Sequence, residues 1–309
     1  MAHLNQDIDM SLATSSRVLT APSTVRATHA SLTHLLSSLL PLRPTDVPLL
    51  YHVPRSPTYS AQTTPVTRVI LSITPTPGFY TAIHAPGPPA VAFLHRPFQL
   101  DRRAVRRGTL VLASHVAFDE VLTVGYNEVL AWRLGVEGER SLVKGYKSDP
   151  ERRIGILGAV EHTLDKLVEM ISQEFGAAEA FAFGSTSITA LAIMNAFNDS
   201  TVNQTIALAQ EQGLLEIQTD VGAEGSGLLY LTGQPREAGV NVAREAGVNV
   251  VCVGHRAAEE WGIRYLANVI RREFPDVSVK EVLEEEVVVV RKKGKPGDGA
   301  VAKGFNTGT

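Results

Sequence analysis

The stretch NVVCVGHRAAEEWGIRYLANVIRRE, residues 249–273, decides the fold. Its first part, NVVCVG, is an apolar run rich in β-branched residues and reads as a buried strand. From Arg256 to Glu273 the apolar positions recur at helical spacing. A strand that passes straight into an amphipathic helix is the building unit of an α/β sheet. His255 and Glu259 stand at the junction. They are four residues apart, so both can face one side of the first helical turn.

The arrangement recurs upstream. TLVLASHVAFD (109–119) is an apolar strand followed by His115 and Asp119, and AVAFLHRPF (90–98) is an apolar strand followed by His95. In an open α/β sheet the residues just past the strand ends face one crevice, where ligands bind. The three pieces can therefore converge, and His, Asp and Glu side chains meeting there suit a divalent metal. Spacing alone is a weak signal. With 9 His and 32 acidic residues in 309, about one His with an acidic residue four places on is expected by chance, and three such pairs occur. One of them, His3–Asp7, lies in a polar N-terminus and is set aside. What singles out the other two, and His95, is their place at strand exits. On residue types and placement, a metal or polar-ligand site stands level with satisfied structural histidines. Asp119 has a plainer alternative as the N-cap of a helix from 120, His95 as a turn residue, and Glu259 as a helix carboxylate that favours the dipole.

Composition narrows the classes. The chain is 44% hydrophobic and 20% charged, ordinary for a globular protein, and long enough for one large or two medium domains. A formal charge of −3 gives no electrostatic case for nucleic acid or an anionic membrane. Cys252 stands alone, which excludes an intrachain disulfide and a multi-cysteine zinc site. No apolar run reaches 18 residues, so no membrane helix is expected. The early Asp7 and Asp9 argue against a signal peptide. The expected compartment is cytoplasmic, with a mitochondrial leader in the Ser/Thr/Ala-rich stretch 10–30 as the alternative.

Along the chain, strands and helices alternate, which predicts an α/β sheet. Residues 1–25 read as disordered. HASLTHLLSSLL predicts a helix stopped by Pro41, and the Pro-rich stretch 41–65 a loop. LDRRAVRRG (100–108) predicts a short exposed helix with four arginines, and EVLTVGYNEVLAWRLGV (120–136) one longer helix ending near Gly135. From about 146 the pattern restarts: a strand at RRIGILG, a helix over 160–176, apolar strands, a helix over 200–213 and the strand GSGLLYLTG. The heptapeptide REAGVNV occurs twice, at 236–242 and 244–250. Its first copy is expected on a helix and its second to run into a strand. Residues 291–309 read as a flexible basic tail. The apolar stretch PLLYHVP (48–54) would leave an exposed patch on a monomer, which points to a homo-oligomer. AFGSTS and GAEGSG are too generic to count as phosphate loops.

The order LHRPF (94–98), SHVAFD (114–119), GYNEVLAWRLG (125–135), YLTGQ (230–234) and GHRAAEEWG (254–262) resembles the NIF-three-like family, also called GTP cyclohydrolase type 2-like proteins. The resemblance covers roughly 67–290. It implies two interlinked α/β domains: a metal-site domain split between 26–145 and 248–290, and a second domain over 146–247. It implies a dinuclear metal site, ring-like homo-oligomers and a protein partner, with neither membrane nor direct nucleic-acid binding. Carried over, the metal ligands are His95, Asp119, His255 and Glu259 for one or two divalent ions (Zn, Fe or Mn). Glu259 and His115 are the candidate catalytic bases. Arg96 stands where the family has a second ligating His, and an arginine has no lone pair to give a metal. Gln234 stands where the family's turn has Glu, and the family's Trp-Asp-Asn segment is not visible. The expected function is a metal-dependent hydrolase of a small or nucleotide-like substrate. The alternative is a non-catalytic interaction protein that keeps the fold.

Overall fold

A computed structural model describes residues 26–146, 149–216 and 223–285. The chain begins with helix α1 (His29–Leu39), started by a reciprocal capping box between Thr28 and Ser31. Strands β1 (Leu50–His52) and β2 (Arg68–Ser72) follow, then α2 (Pro77–His84), β3 (Val91–Leu94), β4 (Leu110–Ala113), α3 (Val116–Val121) and α4 (Glu128–Arg133). The second half runs β5 (Glu137–Tyr146), β6 (Asp149–Thr163), α5 (Leu164–Phe175), β7 (Glu179–Phe181), β8 (Ser187–Met194) and α6 (Asp199–Glu211). It closes with β9 (Leu228–Thr232), α7 (Glu237–Glu245), β10 (Asn249–Cys252), α8 (His255–Glu273) and β11 (Ser278–Val282).

The strands form two mixed sheets, ordered β1-β4-β3-β2-β11 and β5-β6-β8-β9-β10-β7. In the first, β11, β2, β3 and β4 are parallel and only the edge strand β1 runs antiparallel. In the second, β8, β9 and β10 are parallel. Every residue of β3, β4, β9 and β10 is buried. This explains their unbroken apolar runs, because parallel strands are covered on both faces. The expected α/β class is what the chain adopts. The 146–247 stretch supplies most of the larger sheet, and β5 before it and β10 after it join that sheet by hydrogen bonds.

Helix α8 lies between the sheets. Its Ile263, Leu266, Ala267 and Ile270 pack with α1 and one face of the first sheet, while Ala258 and Trp261 pack with α4, α5 and one face of the second. At about 1.5–3 kcal/mol for each fully buried large aliphatic side chain, this helix is a main tie between the halves. It approaches α3 so closely at Gly262 that a Cβ there would come within 2.6 Å of the Phe118 ring.

Several expectations need correction. The single helix over 120–136 is two, α3 and α4, because Asn127 turns its side chain back to accept from the Leu130 N–H and starts a new helix. Asp119 lies inside α3 and is no N-cap. LDRRAVRRG makes turns instead of a helix. There Arg106 donates to the carbonyls of Ala85 and Gly87 after α2, and Arg102 stacks over Tyr51. The helix expected from 160 starts at Leu164, after an N-cap at Thr163, because 160–163 still belong to β6. PLLYHVP contributes the edge strand β1, with Leu50 52% and Val53 39% exposed. The expected disordered N-terminus and basic tail lie outside the described residues. Among the described residues no helix is long and apolar enough to cross a membrane.

Candidate metal centre

The parallel strands of both sheets deliver their carboxyl ends to one place. β3 ends at Leu94, and the next residues are His95 and Arg96. β4 ends at Ala113, before Ser114 and His115. β10 ends at Cys252 and turns through Gly254 into α8, bringing in His255 and Glu259. Gly254 has φ of +88°, a region where a side chain is strained, so the glycine lets the strand turn directly into the helix.

His95 is the centre of the cluster and is fully buried. Its ring stacks on Phe118 at 4.3 Å and meets the edge of His115 at 5.0 Å. Its Nδ1 lies 3.1 Å from the Ser114 carbonyl. A carbonyl can only accept, so Nδ1 carries the hydrogen and Nε2 faces the site, as a ligand histidine is usually oriented. Nε2 lies 3.3 Å from Asp119 Oδ1 and 3.2 Å from Glu259 Oε1. Glu259 Oε1 is also 3.3 Å from His255 Nε2, and His115 Nδ1 is 3.4 Å from Asp119 Oδ2. These approaches are close but not aligned as hydrogen bonds: among the described residues His95 Nε2, His115 Nδ1 and Glu259 Oε1 are all buried without a hydrogen-bond partner. Buried polar atoms are seldom left so. Three of them around one point, among nitrogen and carboxylate donors, fit a divalent cation. His95, His115 and Asp119 alone offer donor atoms within 4.8 Å of one another.

The electrostatics agree. Burial by itself would push His95 down, but Asp119 and Glu259 outweigh it and raise the imidazole to about 9. Carboxylates that favour a proton on Nε2 favour a metal cation there by the same attraction. Burial would raise Glu259, yet His255 and His95 hold it well below the usual carboxylate range. His115 is lowered, chiefly by burial, against the opposing charge of Asp119. Arg96 donates to Glu259 Oε2 at 3.2 Å. Cys252 is buried in β10 with its thiol pushed up to about 12, chiefly by burial, and it is not among the clustered donors.

The structure thus brings together His95, His115, Asp119, His255 and Glu259. It adds two residues that the sequence did not reveal. Asp46 accepts from the backbone N–H groups of His115, Val116 and Ala117 at 2.8, 3.0 and 2.9 Å, and from Ser114 Oγ at 3.1 Å. It supplies from another segment the cap that α3 lacks. Arg43 grips the buried Glu120 through both carboxylate oxygens, Nε donating to Oε2 at 2.9 Å and Nη2 to Oε1. The loop after α1 therefore fixes α3, which carries Asp119. Both residues sit in the Pro-rich stretch, where nothing local pointed to a partner. Beside the centre opens a cleft of about 260 Å³, lined by Asp119, His255, Gln234 and Arg236 among others.

Comparison with known proteins identifies the family and the fold. A family model described as Duf34/NIF3 (NGG1p interacting factor 3) matches residues 95–288. A GTP cyclohydrolase 1 type 2 homolog of Archaeoglobus fulgidus is 26% identical over 172 residues, 55% of this chain and 60% of that protein. The matched part spans 53–60% of the length of such relatives. Among solved structures, a hypothetical protein of Staphylococcus aureus shares 16% identity at a TM-score of 0.55, over 84% of this chain and 97% of its own. Reduced HcgD from Methanocaldococcus jannaschii shares 14% at 0.56, over 83% and 98%. At these identities the two structures speak for the fold alone.

Proposed function

The chain belongs to the Duf34/NIF3 family, and from that premise we propose that it is a metal-dependent hydrolase with one divalent ion, acting on a small or nucleotide-like substrate. The observation that carries the reading is the pair of buried, unbonded atoms His95 Nε2 and Glu259 Oε1, 3.2 Å apart, with Asp119 and His255 against them. The ligands are His95, Asp119, His255 and Glu259, and Zn, Fe or Mn suits that nitrogen and oxygen set. Such an ion, when bound, makes a water nucleophilic near neutral pH. Only one ion is proposed, because Arg96 places a permanent positive charge on Glu259 Oε2, where a second metal would draw on the same carboxylate.

Two groups were candidates for the base. Glu259, buried and held strongly ionised, suits a ligand better. His115 suits the proton-handling role: burial lowers its pKa, and the charge of Asp119, with Oδ2 3.4 Å from its Nδ1, favours the protonated form that a base takes on. The name of the curated relatives, GTP cyclohydrolase 1 type 2 homolog, supports a nucleotide-like substrate, though the match covers 60% of the Archaeoglobus protein's length.

Elemental analysis of the purified chain after metal supplementation tests the reading. The expected result is about one ion per chain, lost in Asp119→Asn, and raised toward two in Arg96→His, which supplies the nitrogen donor that arginine lacks. Less than about a tenth of an ion per chain would sink the metal reading, given the tight binding such ligand sets show, and two ions in the unaltered chain would sink the single-ion form. A second reading, a non-catalytic interaction protein, is favoured by the same Arg96 contact. His115→Gln separates them: metal content is kept under both, and hydrolytic turnover is lost only under the first.

A further inference from the structure

We propose that the cleft beside the metal centre binds a small phosphate-bearing molecule, gripped by Arg153 and Arg236. This deepens the reading above, since the cleft shares Asp119 and His255 with the proposed ligands, but the arginine wall stands on its own observations. Three different parts of the second sheet converge on the space: β6 with Arg152 and Arg153, the end of β8 with Asn195, and the turn after β9 with Gln234 and Arg236. The two carboxylates that line it already have partners. Glu120 is held by Arg43, and Asp119 lies against His95 and His115. The lining therefore offers cationic and amide groups to whatever enters.

The chemistry selects the ligand. Guanidinium is always charged and its planar fork matches phosphate oxygens two at a time. Two such groups exceed the charge of a single carboxylate and suit a phosphate ester, which carries about −1.5 to −2 near neutral pH. Arg153 lies over the Tyr126 ring, 4.9 Å from its centroid, so its head is held in place. Asn195 is fixed by donating to Thr123 Oγ1 at 2.9 Å. A cleft of about 260 Å³ is smaller than sites for drug-sized ligands, so the molecule is small.

Calorimetric titration of the full chain with inorganic phosphate tests this, on metal-loaded and on chelator-treated protein. We expect one phosphate per chain in both states, and binding weaker by about tenfold or more in Arg153→Gln and Arg236→Gln. Metal content should not change in either variant, and the exposed Arg107→Gln should match the unaltered chain. Arginine-dependent phosphate binding in protein that takes up no metal would support the cleft while removing the metal reading. The proposal is overturned by absent binding, by binding indifferent to both arginine variants, or by succinate binding as tightly as phosphate.

Discussion

Asp46 accepts from three successive backbone N–H groups at the start of α3, and the position of Asp119 depends on that helix. Capping residues contribute about 0.5–2 kcal/mol, and a charged acceptor with several donors belongs at the upper end. Asp46→Ala should therefore lower stability by about 2 kcal/mol at pH 7, read from urea midpoints. Burial alone would raise the Asp46 carboxyl, but the N–H groups of Ala117, His115, Val116 and Val47 outweigh it and lower it. Its folded value thus lies below its unfolded one. The stabilisation is complete above the unfolded value, about pH 4, and fades as pH falls through the folded value. The gap between the unaltered chain and Asp46→Ala should narrow below about pH 4; a gap constant to pH 2 would contradict the role given to the charge. The site residues were unequally legible. His95, His115, Asp119, His255 and Glu259 could be found because each follows an apolar run, and strand exits in an α/β sheet share a crevice. Asp46 and Arg43 could not, because their partners stand 69 and 77 residues away and a Pro-rich loop has no period to place them.

Among the elements, the repeated REAGVNV shows how far local sequence decides. In the first copy Glu237 to Val242 are helical, in α7. In the second, helix ends at Glu245, Gly247 takes φ of +70°, and Asn249 and Val250 enter β10. The same residues differ in form because of what surrounds them. Asn241 is exposed and, among the described residues, its side chain accepts from Arg244 alone. Asn249 is fully buried, accepting from the Phe183 and Gly184 N–H groups and donating to the Ser185 carbonyl. Removing a buried partner leaves those groups unsatisfied, at about 1–3 kcal/mol each. We expect Asn249→Ala to cost at least about 3 kcal/mol and Asn241→Ala to stay within about 0.5 kcal/mol, measured by denaturant unfolding. Similar losses at both positions would mean that the surroundings do not set the difference. Both copies were assigned correctly from the pattern around them, whereas the break at Asn127 was not. There the apolar spacing runs on through Gly125 and Tyr126, and the capping bond that restarts the helix depends on one side-chain rotamer.

At the scale of the molecule, the alternation of strands and helices was enough to give the α/β class, but the division of strands between two sheets was not. β10 and β11 are separated by a single helix yet lie in different sheets, a choice made by long-range pairing. That helix, α8, is shared property: Ile263, Leu266 and Ile270 fill one core and Ala258 and Trp261 the other, with Tyr265 against both. Melting either half strips a wall from its neighbour. The chain should consequently lose its structure in one step, with a calorimetric enthalpy equal to the van't Hoff value; two resolved heat-absorption peaks would refute this. The candidate metal site straddles the same seam, so its loosening cannot be a local event. The slowest amide exchange in both sheets should follow a common opening reaction, and a cation that tightens the seam should slow exchange in strands of both sheets far from any ligand.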